Sequence, residues 1–135
     1  MALMARPFVD TNVLAYLLSA DAAKAARAEE VLAGRIVVSV QVLSEFANVA
    51  RRKRGLGWPA LVQALADITH FADVRPLTLA THQAGLVLAE RCQFGLYDAM
   101  IVATALEAGC DTLLSEDFQT GQLIDGRLRV ANPFA

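Results

Sequence analysis

Four acidic residues lie beside runs of apolar residues, in positions where carboxylates often do chemistry. Asp10 follows a short β-type run near the N-terminus, and Asp117 follows another near the C-terminus. Asp98 begins an apolar helical run, and Glu45 lies about one turn inside a helical segment. In a parallel sheet these positions would converge on the edge at which α/β proteins bind ligands. Because clustered carboxylates repel one another, their convergence predicts a bound divalent cation.

Each acid also has a purely structural interpretation. Asp10 could initiate a turn, Asp98 could cap a helix, and Asp117 could lie in an exposed loop. Glu45 could be a solvated helix residue. Taken jointly these interpretations are less convincing, because two carboxylates ~4 Å apart repel by about 4 kcal/mol at an effective dielectric of about 20. No His or Cys accompanies the acids, so Mg²⁺ or Mn²⁺, which prefer oxygen ligands, fits better than zinc.

The elements that must position these acids alternate between strand-like and helical patterns. Strand-like runs lie at 8–9, 35–39, 73–77 and 111–115, and helices are predicted over 13–18, 22–33, 40–54, 58–68, 78–94 and 96–108. The short runs 123–124 and 128–130 can add a last strand pair around Asp125 and Gly126. Alternating strands and helices predict a three-layer α/β/α sandwich with a central parallel sheet.

Particular residues are predicted to bound these elements. Asp21 and Ser39 are expected N-caps, and Gly55 and Gly95 are expected helix stops. Pro76 predicts that the strand over 73–77 lies at an edge of the sheet, because proline removes a ladder donor. The residues of the helix over 78–94 that are expected to face the core are Leu79, Leu86 and Val87.

The composition indicates a globular protein. The 135 residues are 56% hydrophobic and 19% charged, which predicts one domain and argues against disorder. No apolar run approaches the ~20 residues of a membrane span and no signal segment opens the chain, so we expect a cytoplasmic protein. Cys92 and Cys110 lack the spacing of a metal site and are expected to be reduced thiols.

Four blocks of the sequence resemble the signature blocks of PIN-domain ribonucleases, and more narrowly those of VapC-type toxins of bacterial toxin–antitoxin pairs. The blocks are FVDTNVLAYLL, VSVQVLSEFANV with its glutamate, YDAMIVATAL and LLSEDFQTGQ. They occur in the family's order and spacing over essentially the whole chain, which implies a single PIN domain over residues 1–135. A lone Asp-Thr-Asn would be a weak signal, whereas the four blocks together are specific.

The resemblance implies a central parallel sheet in the order 3-2-1-4-5 and Mg²⁺-dependent cleavage of RNA, with Mn²⁺ as a substitute. It carries the family's acids onto Asp10, Glu45, Asp98 and Asp117, and its polar helpers onto Thr11, Asn12 and Ser115. Asp10, Asp98 and Asp117 would be the principal metal ligands, and Glu45 a further ligand or a base that orients water. Glu116, just before the last acid, is an ambiguous extra carboxylate.

A basic cluster, Arg51, Arg52, Lys53 and Arg54, closes the helix over 40–54. It is either a solvated helix end favoured by the helix dipole or a patch that steers RNA phosphates toward an acidic site. The second interpretation matters because the formal net charge is −2, so any attraction to RNA must be local. His70 and His82 have no acidic neighbours at useful spacing and are expected at the surface.

Two other functions compete with the nuclease. A haloacid-dehalogenase-like phosphatase also starts with an Asp at a strand end, but it needs a second Asp two residues later, where this chain has Asn12. A catalytically silent RNA-binding or protein-interaction module on the same fold is the other alternative. The complete set of acids argues against it, and fold alone does not settle function.

The resemblance also implies partners, namely a second copy of the chain and a cognate antitoxin. The high apolar content gives weaker, independent support. The helical runs at 13–18 and 61–68 are expected to leave apolar surface uncovered, and such surface on a small domain usually marks a partner site.

Overall fold

A six-stranded sheet forms the centre of the protein in a computed structural model, which describes residues 6–134. The strands are β1 Phe8–Val9, β2 Ile36–Ser39, β3 Ala72–Arg75, β4 Thr112–Leu114, β5 Leu123–Ile124 and β6 Leu128–Ala131. The spatial order is β3-β2-β1-β4-β6-β5, and every neighbouring pair is parallel except β5 with β6. The predicted order 3-2-1-4-5 is therefore confirmed in outline. The strand next to β4 is β6, and β5 pairs with β6 in the antiparallel direction to form that edge of the sheet.

The middle of the sheet is buried on both faces. Phe8 of β1 pairs with Val37 of β2 on one side and with Leu113 of β4 on the other, and all three side chains are fully buried. Strands covered on both faces carry continuous apolar runs, which is why β1 and β2 were recognisable from sequence.

Helices surround this sheet and complete the α/β/α architecture. They are α1 Thr11–Ala15 with a 3₁₀ turn over Tyr16–Leu18, α2 Ala22–Ala33, α3 Val40–Arg54, α4 Trp58–Phe71, α5 Leu79–Cys92 and α6 Leu96–Glu107. Helix α6 packs against α5 and also contacts β2, and α3 contacts both α1 and α4. Residues 99–105 of α6 are all buried, as its apolar character predicted.

The predicted caps at Asp21, Ser39 and Gly55 are confirmed. Asp21 Oδ1 accepts hydrogen bonds from the backbone N–H groups of two residues in the first turn of α2, at 3.0 and 3.2 Å. Ser39 Oγ accepts one from Val42 N at 3.1 Å. Gly55 ends α3 with a left-handed φ of 61°, a conformation that glycine adopts without steric cost.

The prediction that Leu79, Leu86 and Val87 face the core is wrong. Their exposed fractions are 71%, 45% and 61%. The buried residues of α5 are instead Thr81, Gly85 and Leu88. At Gly85 the helix lies so close to α6 that an added Cβ would fall 2.5 Å from Met100 Sδ, so it is the face with Gly85 that packs against α6.

Two predicted boundaries also differ. Helix α5 ends at Cys92, with Gln93 in a left-handed conformation (φ 58°), and Gly95 begins α6 instead of ending α5. Strand β3 is an edge strand as predicted, but it covers Ala72–Arg75 and ends before Pro76.

The uncovered apolar surface is only partly where the sequence placed it. Val13 and Leu14 of α1 and Leu61 and Ile68 of α4 are buried, but Val62 of α4 is 62% exposed, and Trp58 and Phe71 at the two ends of α4 are exposed as well. Further exposed apolar side chains lie on α5 and at the start of α6, at Leu79, Leu86, Val87, Leu96 and Tyr97. We call this set the α5–α6 apolar surface.

Cys92 and Cys110 are both free thiols, as predicted. His70 and His82 are exposed, also as predicted. Among the helices of residues 6–134, none is long and apolar enough to cross a membrane.

Candidate active site

Asp10 lies at the carboxyl end of the central strand, and its orientation is determined by two hydrogen bonds. Its Oδ1 accepts from Thr11 N at 2.7 Å, and its Oδ2 accepts from Ser115 Oγ at 2.7 Å. Only 2% of the residue is exposed. Burial raises the pKa of Asp10 to about 6; the two hydrogen bonds lower it, and the charges of Asp117 and Asp98 raise it further.

Ser115 connects Asp10 to the loop that follows β4. Its Oγ accepts hydrogen bonds from Asn12 Nδ2 at 3.4 Å and from Asp117 N at 3.0 Å, while it donates to Asp10. Asn12 Oδ1 in turn accepts from Glu116 N at 3.2 Å. Asn12 and Ser115 therefore hold the backbone of the loop that carries Asp117 against the start of α1.

Glu45 is held by two donors from different parts of the chain. Its Oε1 accepts a hydrogen bond from Thr11 Oγ1 at 3.2 Å and another from Gln41 Nε2 at 3.4 Å. Burial raises the pKa of Glu45, and the charges of Asp98 and Asp117 raise it as well. The carboxyl thus lies near the other acids although it comes from α3.

Asp98 belongs to the first turn of α6, whose N-cap is Gly95, so Asp98 does not cap the helix. Burial raises the pKa of Asp98, and the charge of Asp117 adds to the shift. Because Asp98 and Asp117 also act on Asp10 and Glu45, the four acids share one neighbourhood at the carboxyl end of the sheet. Within residues 6–134, none of the four forms an ion pair with a basic side chain.

The donor chemistry of this neighbourhood fits a hard divalent cation. All the candidate ligands are carboxylate oxygens, and their mutual repulsion would be relieved by positive charge. In the described part of the chain, no three His, Cys, Asp or Glu side chains are already gathered closely enough to hold an ion.

A cleft of about 640 Å³ opens beside two of the four acids, whereas Asp10 and Asp98 are not among its lining residues. Its lining includes Glu45 and Asp117 together with two basic residues of the cluster at the end of α3, Lys53 and Arg54. The residues of the basic cluster therefore lie in different environments. Arg51 instead stacks on the exposed ring of Trp58, with its guanidinium carbon 4.0 Å from the ring centre, and donates to Leu56 O at 2.9 Å.

Sequence reasoning missed three polar or aromatic residues here. Tyr16 and Asn48 line the cleft, and Gln41 binds Glu45. A signal for two of them existed, because residues three and four apart share a helix face. Gln41 and Asn48 lie four residues before and three residues after Glu45 on α3.

The sequence model of the PIN domain matches residues 8–122. A comparison with curated protein sequences finds no match. Solved structures are similar over nearly the whole chain. VapC20 of Mycobacterium tuberculosis, a toxin that cleaves the sarcin-ricin loop, is 24% identical with a TM-score of 0.68 and covers 90% of this chain and 98% of its own.

Two solved complexes are similar as well. A chain of a toxin–antitoxin complex from Klebsiella pneumoniae is 20% identical, with a TM-score of 0.70, over 94% of this chain and 97% of that one. A chain of VapBC2 from Rickettsia felis, bound to a fragment of its promoter DNA, is 17% identical, with a TM-score of 0.66, over 93% of this chain and 97% of that one.

Proposed function

This chain belongs to the PIN domain family, and we propose that it is a Mg²⁺-dependent endoribonuclease that acts in the cytoplasm as the toxin of a toxin–antitoxin pair. The proposal rests chiefly on one observation. Four acids from four separate segments lie near enough at the carboxyl end of the sheet for their charges to influence one another's pKa, and within residues 6–134 no basic side chain pairs with them.

Each acid has a distinct role in this proposal. Asp10, Asp98 and Asp117 would hold the cation directly or through water, and Glu45 would be a further ligand or would orient a water. A bound Mg²⁺, or Mn²⁺ in its place, lowers the pKa of its water and offsets charge on a scissile phosphate. Thr11, Asn12 and Ser115 would keep the carboxylates in place through the hydrogen bonds described above.

The cleft provides a path for RNA to this site. The acids alone repel a polyanion, so phosphates need positive charge close by. Lys53 and Arg54 supply that charge in the same cleft as Glu45 and Asp117. The basic cluster as a whole would then bind substrate, with Lys53 and Arg54 contributing most of the affinity for RNA.

Replacing Lys53 and Arg54 together by alanine should weaken RNA binding and reduce its dependence on salt. Each lost phosphate contact removes roughly 0.7 from the slope of log K against log salt for single strands. Turnover at saturating RNA should change little, because neither residue touches the acids. Binding titrations from low to moderate KCl at a fixed Mg²⁺ concentration, measured with a cleavage-resistant RNA analogue, give the slope.

The matched control is the double change Arg51→Ala and Arg52→Ala. It removes the same charge from the same helix end but leaves the cleft lining intact, so its slope should fall less. An unchanged slope in the Lys53 and Arg54 variant would assign the cluster to the solvated end of α3.

The same proposal includes two protein partners. A homodimer would cover the α5–α6 apolar surface, which is otherwise unusual on a small domain. A single-chain mass by light scattering would contradict the dimer.

An antitoxin would cover the cleft and place an arginine among Asp10, Asp98 and Asp117, where a guanidinium pairs with carboxylates and competes with the cation. Inhibition by the antitoxin should then weaken as the Mg²⁺ concentration rises.

Expression of the chain without its antitoxin should halt bacterial growth and expression of Asp10→Asn should not. The physical reason is that only the first protein retains all the acids needed to cleave RNA. Growth curves after induction, with immunoblots to match the protein levels, provide the measurement. Normal growth at high levels of the unmodified chain, combined with RNA binding that needs no metal, would favour the catalytically silent module instead.

A further inference from the structure

The amide of Gln41 bridges two of the elements that carry the acids. Its Nε2 donates to Tyr97 O at 3.0 Å and to Glu45 Oε1 at 3.4 Å. Both partners are acceptors, so the orientation of the amide is determined, because a flipped amide would bring oxygen against oxygen. Its Oε1 is buried and has no hydrogen-bond partner among residues 6–134.

The two contacts connect α3 with α6 beside the acids. Gln41 lies in the first turn of α3, one helical turn before Glu45. Tyr97 immediately precedes Asp98 in the first turn of α6. A single side chain thus ties the Glu45 carboxyl to the backbone of the turn that carries Asp98, although the two carboxylates repel each other.

Stability alone does not explain an amide at this position. A buried acceptor without a donor is unfavourable, and an apolar side chain of the same length would avoid that cost. The two donor contacts are therefore what the amide contributes. They act on Glu45 and on the start of α6, not on the hydrophobic core.

We propose that Gln41 is a positioning residue, which holds Glu45 and the first turn of α6 in the arrangement that the cation and the RNA require. The inference rests on the proposed function. Gln41 itself need not touch the cation.

The decisive variant is Gln41→Met, which keeps the length of the side chain but removes both the donor and the unpaired acceptor. Replacing a residue that orients a metal ligand typically lowers metal affinity or activity by about 10–100-fold. We expect Mn²⁺ binding by calorimetry, without RNA, to weaken by about that factor. The Mg²⁺ concentration for half-maximal cleavage should rise in parallel, while the melting temperature without metal stays at the wild-type value or higher.

Gln63→Met is the matched control. Gln63 Nε2 donates to Asp67 Oδ1 at 2.9 Å, which is the same amide-to-carboxylate contact over four residues of a helix, but on the exposed side of α4. The Gln63→Met variant should bind Mn²⁺ and cleave RNA as the wild type does. Gln41→Leu is a second apolar variant that likewise cannot donate to Glu45 or Tyr97, and it should weaken Mn²⁺ binding as well.

The outcomes separate this inference from the proposed function. If the wild-type protein cleaves RNA and Gln41→Met matches it in Mn²⁺ affinity and Mg²⁺ dependence, the positioning role is wrong. It is also wrong if both Gln41 variants lose metal binding only in proportion to a lower melting temperature, since that describes a structural residue. If the wild-type protein neither binds Mn²⁺ nor cleaves RNA, the proposed function fails and this inference fails with it.

Discussion

Asp10→Asn and Asp98→Asn are each expected to reduce RNA cleavage by more than about 100-fold, since even residues that only orient metal ligands cost 10–100-fold. Both changes remove a charged oxygen from the proposed cation site and leave the size of the side chain unchanged. The measurement is the rate of cleavage of a labelled RNA at saturating Mg²⁺. Asp67→Asn, at an exposed carboxyl on α4, is the control and should cleave at the wild-type rate.

The same Asp10 variant should be at least as stable as the wild type at neutral pH. Burial raises the pKa of Asp10 from 3.8 to about 6, so the folded chain binds this proton more tightly than the unfolded chain. The free energy of unfolding therefore falls as pH rises through that interval. Since a shift of one pKa unit corresponds to about 1.4 kcal/mol, the ionised carboxyl lowers the free energy of unfolding by about 3 kcal/mol at pH 7. Asparagine removes this cost but makes a weaker contact with Ser115, which leaves an expected gain of about 1–2 kcal/mol.

Urea unfolding without divalent cations, at pH 5 and at pH 7, measures this effect. The wild type should be more stable at pH 5, and the difference should be smaller in Asp10→Asn. The exposed His70 and His82 are present in both proteins, so their contributions cancel in the comparison. Wild-type cleavage by both Asn variants would rule out the proposed roles of Asp10 and Asp98.

The positions of the four acids were predictable because they depend on local features of the chain. A buried strand is recognisable from its apolar run, and the carboxyl ends of parallel strands share one edge of the sheet. Asp10 follows β1 directly, and Asp117 comes three residues after the end of β4. The caps at Asp21 and Ser39 were predictable for the same reason, since an N-cap contacts only the next turn of its own helix.

The errors concern features that depend on contacts between distant parts of the chain. Helix α5 is apolar on more than one side, and the close packing of Gly85 on Met100, which marks its inward face, is not revealed by any spacing within α5. The β5–β6 pair was predicted, but which of its strands pairs with β4 depends on packing across the sheet. The different environments of the basic residues were not predicted either, because they depend on the conformation of residues 55–57, which brings Trp58 onto Arg51.

Removing divalent cations is expected to stop cleavage altogether, and adding Mg²⁺ or Mn²⁺ is expected to restore it. Without a cation, four neighbouring carboxylates would meet the phosphates of RNA, and charge repulsion would prevent productive binding. Cleavage in excess EDTA, before and after back-titration with Mg²⁺, measures the dependence. KCl added to equal ionic strength is the control, because it screens charge without occupying a divalent site.

Mg²⁺ should also stabilise the folded protein without RNA, and this effect should depend on pH. A ligand that binds only the folded state at 100 times its Kd adds about 2.7 kcal/mol. Protons compete with the cation for Asp10, whose pKa is about 6, so the increase in melting temperature should be larger at pH 8 than at pH 5. Thermal unfolding of wild type and Asp98→Asn at both pH values tests this, and the variant should show a much smaller increase. Full cleavage in excess EDTA, or an equal Mg²⁺ effect in both proteins, would contradict a cation held by these acids.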